Sequence, residues 1–229
     1  MVLLMISVVI PTLDAAATLP RCLDSLASAQ ASGFVEEVIV ADGGSADATI
    51  ALADAAGARI VRAERGRGPQ LAAGADAARE DWLLFLHADT ALEAGWEQAA
   101  AQFAAQSHGA CAGYFRFALD DSGTAARRLE RLVAWRCRWF ALPYGDQALL
   151  IPRPLYDLIG GYRPLPLMED VDVARRLGRR RLAGIQCRAV TSAERFRREG
   201  YLRRPARNLT ILALFACRVP VRILSTLYR

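Results

Sequence analysis

Two groups of acidic side chains carry the chemical signal in this sequence. Asp89 follows the apolar run 83–86 closely, and Glu169 with Asp170 opens a distant segment that then becomes rich in arginine. Carboxylate oxygens are the ligands that hard divalent cations prefer, and a carboxylate can also take a proton from a hydroxyl group. The residue types therefore predict a centre in which one carboxylate holds a metal ion and another acts as general base.

The elements that must position these residues alternate between strand and helix signals in the first half of the chain. We expect strands at 6–10, 35–41, 58–61 and from Trp82 toward Asp89, with helices at 19–30, 46–56 and 70–79. Such alternation predicts βαβ units and a mostly parallel sheet, so the fold class is α/β. Right-handed crossovers bring the carboxyl ends of parallel strands to one edge, where open sheets bind ligands. Thr12, Asp42 and Asp89 should therefore share a rim.

The second half is less regular. We expect a strand at 110–119, a helix at 124–140, a strand at 148–151 and a helix at 169–180. The last helix has an acidic first turn and a basic last turn, which suit the helix dipole, and this is the alternative reason for the acidic pair at its start. We expect one domain over residues 1–190, followed by an arginine-rich helical tail over 191–229.

Composition narrows the class of protein but names no partner. The 229 residues are 53% hydrophobic and 23% charged, which excludes a disordered chain. The net charge is +5, yet all 29 basic residues are arginine, as codon bias in a GC-rich genome would produce. We therefore expect no nucleic-acid partner. The odd, dispersed set of five cysteines favours reduced thiols, and the N-terminus lacks the marks of a signal peptide, so we expect a cytoplasmic protein.

The tail has two alternative interpretations. Arginines crowd residues 194–207, and the uncharged apolar run 209–217 follows them. A run of this length cannot cross a bilayer, which takes roughly 20 residues. It is therefore a packed terminal helix or homodimer contact, or else a helix that lies on the inner face of the membrane beside anionic lipid.

The chemistry-bearing segments resemble the family 2 glycosyltransferases of the GT-A fold. The resemblance spans roughly residues 5 to 190 and rests on the order of five segments: 6–12, 37–45, 84–90, 145–147 and 166–171. Each match alone would be weak, but their order and strand contexts make the set specific. It implies a Rossmann-like, mostly parallel sheet flanked by helices, with a donor half at 1–90 and an acceptor half at 91–190. It also implies a nucleotide-diphosphate-sugar donor, Mg²⁺ or Mn²⁺, and inversion at the anomeric carbon.

On the donor side, the resemblance assigns roles residue by residue. Asp89 matches the metal-binding aspartate of the family's Asp-x-Asp motif, with His87 at the first position of that motif. One protein carboxylate holds such an ion weakly, so we expect metal affinity to depend on bound nucleotide. The residues implied in donor binding are Pro11, Thr12, Asp14, Asp42 and Gly43 at the nucleoside, Arg65 and Arg67 at the phosphates, and His87 and Ala88 beside the metal.

On the acceptor side, Asp170 matches the family's general base, and we expect Glu169 to orient it or to bind acceptor hydroxyls. The segment Gly145, Asp146 and Gln147 matches an acceptor-binding segment, for which an ordinary turn is the alternative. Trp135, Trp139 and Tyr144 have faces that could stack on a sugar or lipid, although such residues are more often core. The acceptor itself is a saccharide, a lipid or another small molecule.

The sequence departs from the family pattern at several positions, and other classes of protein must be compared with it. The chain has Asp14-Ala15 where relatives often carry Asn-Glu, and Ala72 replaces an expected Asn, so an inactive nucleotide-sugar or membrane-associated binding module is the alternative function. A nucleotidyltransferase usually places a lysine against a triphosphate, and the sequence has no lysine. A nicotinamide-dependent enzyme would need a glycine-rich turn after the first strand, where Pro11-Thr12 stands instead.

Overall fold

The computed structural model describes residues 4–217 and 219–228. An eight-stranded sheet with the order β3-β2-β1-β4-β7-β6-β8-β5 forms its centre. The strands are β1 Ile6–Thr12, β2 Val35–Asp42, β3 Arg59–Arg62, β4 Trp82–Phe85, β5 Thr90–Leu92, β6 Ala112–Leu119, β7 Leu149–Pro152 and β8 Leu182–Thr191. The helices are α1 Leu19–Asp24, α2 Ala27–Ala31, α3 Thr49–Ala55, α4 Arg67–Ala77, α5 Trp96–Ser107, α6 Thr124–Phe140, α7 Arg153–Leu158, α8 Glu169–Leu177, α9 Glu194–Glu199, α10 Arg203–Ala216 and α11 Val221–Tyr228.

The first half of the sheet is parallel, as the alternation of strands and helices predicts. β1 lies between β2 and β4 and pairs in parallel with both, and β2 pairs in parallel with β3. Every residue of β1 is buried, because its run of branched apolar side chains is covered on both faces. Thr12 and Asp42 are paired at the carboxyl ends of β1 and β2, so the expected rim forms.

The second half of the sheet is mixed. β7 runs antiparallel to both β4 and β6, β6 pairs in parallel with β8, and β5 pairs antiparallel with β8. The sequence interpretation did not include β5, β8 or α5. β5 has only three residues, and in β8 the buried side chains alternate with exposed Gln186 and Arg188, so neither strand has a continuous apolar run.

Two predicted helices differ from the structure at identifiable residues. The expected helix 19–30 is two short helices separated at Ser25, whose hydroxyl donates to the Cys22 carbonyl at 2.7 Å and whose carbonyl accepts from Trp96 Nε1 at 3.1 Å. These contacts take the place of continued helical hydrogen bonds. The expected helix 169–180 ends at Leu177, because Gly178 adopts φ +71°, and a 3-10 turn at Arg179–Arg181 follows.

The tail returns to the body of the protein. Ile211 of α10 and Leu224 of α11 are buried against Met168 and Val171 beside the acidic pair. A packed terminal helix, one of the two alternatives from sequence, is therefore present, although Leu209 stays half-exposed. No helix among residues 4–217 and 219–228 is long and apolar enough to cross a membrane.

Candidate active site

A cavity of about 660 Å³ lies at the rim where β1, β2 and β4 end. Eight of the residues predicted to bind donor or metal line it: Pro11, Thr12, Asp14, Arg65, Arg67, His87, Ala88 and Asp89. The lining residues that were not predicted include Gln70, Ser192, Glu194 and Arg195. The parallel strands thus bring together residues that are up to 184 positions apart in the chain, from Pro11 to Arg195. The size suits a small-molecule ligand such as a nucleotide.

Asp42 and Gly43 lie behind this cavity and not in its lining. The Asp42 carboxylate accepts hydrogen bonds from the Thr12 hydroxyl at 3.0 Å and from the N–H groups of Gly44 and Ser45 at 2.8 and 2.9 Å. Burial acts to raise the pKa of Asp42, but the bonds from Ser45, Gly44 and Thr12 outweigh it and lower that pKa. Asp42 is therefore ionised and fixes the turn that carries the rim.

Gln70 at the start of α4 is a site residue that the sequence interpretation missed. Its side chain is buried, and Nε2 donates to the carbonyl of Thr12 at 2.5 Å and to that of Ala41 at 2.9 Å. The side chain therefore ties the ends of β1 and β2 together at the cavity floor. The only feature of the sequence that could have indicated this role is an amide side chain among the small residues of α4.

A smaller pocket of about 90 Å³ adjoins this larger cavity and shares Arg67, His87 and Asp89 with it. Gly145, Asp146, Glu169 and Asp170, all predicted on the acceptor side, line this pocket. Asp170 accepts a hydrogen bond from the Gly145 N–H at 2.8 Å through Oδ2 and from the Val171 N–H at 2.7 Å through Oδ1. The fold thus joins two segments 25 residues apart and gives the Asp170 carboxylate a fixed direction.

We call the smaller pocket the acidic pocket, and two of its carboxyl groups have raised pKa values. Glu169 is 2% exposed, and burial followed by the charge of Asp170 raises its pKa to about 7, against the opposing effect of Arg67. Arg67 Nη1 lies 3.9 Å from Glu169 Oε1. Burial also raises the pKa of Asp146 to about 6. The pocket therefore contains carboxyl groups that exchange protons near neutral pH.

His87 is neutral at physiological pH. Burial and the charge of Arg67 lower its pKa to about 3, and the nearby Asp89 carboxylate only partly offsets them. A neutral imidazole can accept or donate a hydrogen bond but adds no positive charge beside a phosphate. The cationic groups that line both cavities are instead the guanidinium groups of Arg67 and Arg195.

Asp89 lines both cavities and offers a carboxylate to a cation placed between them. Its Oδ1 accepts a long hydrogen bond of 3.4 Å from the Thr90 hydroxyl, and its Oδ2 lies 3.9 Å from Arg195 Nη1. The residues that the structure describes contain no group of three or more side chains arranged to hold a metal ion. The carboxylate oxygens of Asp89 suit a hard ion, which would take its remaining ligands from phosphate oxygens and water.

The His87 ring lies so close to residue 145 that only glycine fits at this position. A Cβ added at Gly145 would overlap Nε2 of His87 and lie 2.5 Å from its Cε1. We expect Gly145→Ala to lower the free energy of unfolding by roughly 1–3 kcal/mol, the usual cost of overpacking. Urea denaturation measures this change. The control is Gly184→Ala, whose added Cβ would meet the Tyr114 ring at 3.7 Å, an ordinary contact. A Gly145→Ala protein as stable as the Gly184→Ala control would contradict the expectation.

Gln147 lies in the core and not in either pocket. Its Nε2 donates to the Phe115 carbonyl at 3.1 Å, and its Oε1 accepts from the Tyr144 N–H at 3.3 Å and the Arg136 guanidinium at 3.3 Å. It therefore holds the 3-10 turn that presents Gly145 and Asp146. Arg136 in turn stacks over the Tyr144 ring, with 3.5 Å between the guanidinium carbon and the ring centroid.

The segment after residue 190 supplies part of the acidic pocket. Ser192, Arg195, Phe196, Arg204 and Asn208 all line it. The sequence showed that this segment is rich in arginine but not that it folds back. The expected boundary after residue 190 therefore does not separate the tail from the site.

Comparison with known proteins agrees with the geometry. The sequence model described as "Glycosyl transferase family 2" matches residues 7–166, more than half of the chain. A PGL/p-HBAD biosynthesis glycosyltransferase of Mycobacterium bovis is 40% identical over 95 residues, which are 38% of this chain and 36% of that protein. A glucosyl-3-phosphoglycerate synthase of Mycolicibacterium paratuberculosis is 40% identical over 93 residues, which are 37% of this chain and 28% of that protein.

Solved structures share the fold. Glucosyl-3-phosphoglycerate synthase from Mycobacterium tuberculosis, in complex with Mn²⁺, UDP and glucosyl-3-phosphoglycerate, superposes with a TM-score of 0.63 at 23% identity, over 94% of this chain and 81% of that one. S. aureus TarS with UDP-GlcNAc gives a TM-score of 0.62 at 15% identity, over 82% of this chain and 58% of that one. The α/β architecture is therefore the GT-A fold, and the chain belongs to glycosyl transferase family 2.

Proposed function

We propose that this protein is an inverting, metal-dependent glycosyltransferase that moves a sugar from a nucleotide-diphosphate-sugar donor to an acceptor hydroxyl. The observation that carries the proposal is the junction of the two cavities, where Asp89, His87 and Arg67 line both. A donor in the larger cavity would place its sugar at this junction. The Mn²⁺ and UDP in the related synthase structure support this class of donor.

Donor binding uses the rim residues. Thr12, held by Asp42 and Gln70, and Asp14 would contact the nucleoside, while Arg65, Arg67 and Arg195 would face the diphosphate. Asp89 would hold Mg²⁺ or Mn²⁺ together with the donor phosphates. When bound, such an ion stabilises the negative charge that develops on the departing diphosphate.

Asp170 is the general base in this proposal. The acceptor oxygen attacks the anomeric carbon, the bond from that carbon to the diphosphate oxygen breaks, and the hydroxyl proton passes to Asp170. A single displacement of this kind inverts the anomeric centre. The Gly145 N–H holds Asp170 in place, and Glu169 lies beside it, so both members of the acidic pair face the same pocket.

Calorimetry with UDP, GDP, dTDP and CDP, each with and without Mn²⁺, tests the proposal. We expect one nucleotide to bind tightly only with the metal, because one protein carboxylate cannot complete the ion's shell. The matching nucleotide-sugar should then be hydrolysed slowly in the absence of an acceptor. If no nucleotide binds, the alternative of an inactive binding module gains support and the glycosyltransferase proposal fails.

Cellular location and assembly stay predictions. A cytoplasmic protein, contact with the membrane surface through the tail and a homodimer contact all follow from the sequence interpretation. The half-exposed side chains of Leu209, Ile223 and Leu227 on the last two helices are compatible with either contact. Co-sedimentation with lipid vesicles tests the membrane contact and so distinguishes it from the homodimer contact.

A further inference from the structure

A second cavity, of about 380 Å³ and mainly apolar, lies between α6 and α10. Its walls include Leu132 and Trp135 from α6 and Leu209 and Leu212 from α10. The cavity shares four lining residues with the acidic pocket: Tyr144, Asp146, Phe196 and Asn208. It therefore adjoins the pocket that holds Asp170, and its volume is that of a small-molecule subsite.

The shared boundary carries polar atoms that lack partners. Among the residues that the structure describes, the Tyr144 hydroxyl, Asp146 Oδ1 and Asn208 Oδ1 are buried without a hydrogen bond. Buried polar atoms are normally paired, so such a group points to a missing ligand. A carboxylate oxygen and an amide oxygen only accept hydrogen bonds. The missing partner of these two oxygens therefore presents hydrogen-bond donors, as hydroxyl groups do and as a fully ionised phosphate or carboxylate group does not.

We propose that this cavity binds the apolar part of the acceptor, and that the acceptor is a neutral amphipathic molecule with several hydroxyl groups on its head. The inference rests on the proposed glycosyltransferase function and names its acceptor class. When the apolar part of the acceptor packs against Leu132, Trp135 and Leu209, its hydrocarbon surface is removed from water, and this favours binding. The head then donates hydroxyl hydrogens to Asp146 and Asn208, and a further hydroxyl faces Asp170.

The test compares methyl, butyl, hexyl and octyl β-D-glucosides as acceptors below their micellar concentrations, with the donor found by calorimetry. Each buried methylene should lower KM roughly fourfold until the cavity is full, with kcat little changed. Free 3-phosphoglycerate, which is anionic and lacks an apolar chain, should be a poor acceptor. An equal KM across the glucosides, or a preference for 3-phosphoglycerate, would overturn the proposal.

Substitutions in the cavity walls test whether the dependence of KM on chain length arises from binding in this cavity. Leu132 and Leu209 are 48% and 52% exposed, so Leu132→Glu and Leu209→Glu should fold while placing a charge in the wall. Both should remove the dependence of KM on chain length. The matched control is Leu158→Glu on α7, at a position that is 68% exposed and outside the cavity. Wall variants that keep the chain-length dependence would contradict the assignment.

Binding without turnover separates this inference from the proposed function. Trp135 lies in the wall, so octyl glucoside should change tryptophan fluorescence in the wild type and much less in Leu132→Glu. If this binding occurs but no donor is hydrolysed, the cavity assignment stands and the enzymatic proposal fails. If the donor is hydrolysed but chain length has no effect, the enzymatic proposal stands and the acceptor class is wrong.

Discussion

Asp170→Asn is expected to lower the rate of sugar transfer by roughly 10²- to 10⁴-fold, the usual contribution of a positioned general base. The amide is nearly the same size as the carboxylate, and its one oxygen can keep the hydrogen bond that the Gly145 N–H donates at 2.8 Å, while the bond from the Val171 N–H is lost. It cannot take the acceptor proton. Nucleotide affinity should change little, because Asp170 lines the acidic pocket and not the larger cavity in which we propose that the nucleotide binds. Initial rates with saturating donor, together with calorimetry, measure the two effects.

Two matched variants control this experiment. Asp172 lies on the same helix but pairs with Arg163 and Arg176, so Asp172→Asn tests the loss of a negative charge from α8 without touching the pocket. We expect it to retain most of the activity. Glu169→Gln should cost less than Asp170→Asn. If instead Glu169→Gln removes activity, and the wild-type rate rises with pH through about 7, then Glu169 is the base.

Asp89→Asn is expected to remove the metal dependence of nucleotide binding and to slow transfer by roughly 10²- to 10³-fold. The ion contributes several kcal/mol of charge stabilisation to the departing diphosphate, and each 1.36 kcal/mol corresponds to a factor of about ten. Asparagine offers a neutral oxygen that holds a hard cation less well than a carboxylate. Calorimetry with and without Mn²⁺ measures the loss of dependence, and initial rates measure the loss of transfer.

Asp81→Asn is the matched control for Asp89. Asp81 is exposed and directly precedes β4. The substitution therefore removes the same charge as Asp89→Asn, but at the opposite end of β4. We expect unchanged metal dependence in this variant. An Asp89→Asn protein that still binds nucleotide more tightly with Mn²⁺ would place the ion at other oxygens, for which Asp146 in the adjoining pocket is the next candidate.

The parallel strands of the first half of the chain were predicted correctly because their signals are local. The near-continuous apolar runs of β1 and β4 mark strands buried in a parallel sheet, and the polar residue after each run marks its carboxyl end. Parallel pairing then places Thr12 and Asp89 at one rim. The amphipathic helix α6 was also predicted with its observed bounds, Thr124–Phe140, because its apolar face repeats with the helical period.

The sequence by itself determined which residue types stand at the ends of strands, and with them the class of chemistry and the family resemblance. Only the tertiary structure decided how these residues face one another. It turned Asp42 and Gln147 inward to support the site, brought Arg195 and Asn208 back from the tail and buried Glu169 beside Asp170. The reason is physical: periodicity reports the burial of each element, whereas a pKa or an unpaired polar atom depends on contacts between segments far apart in the chain.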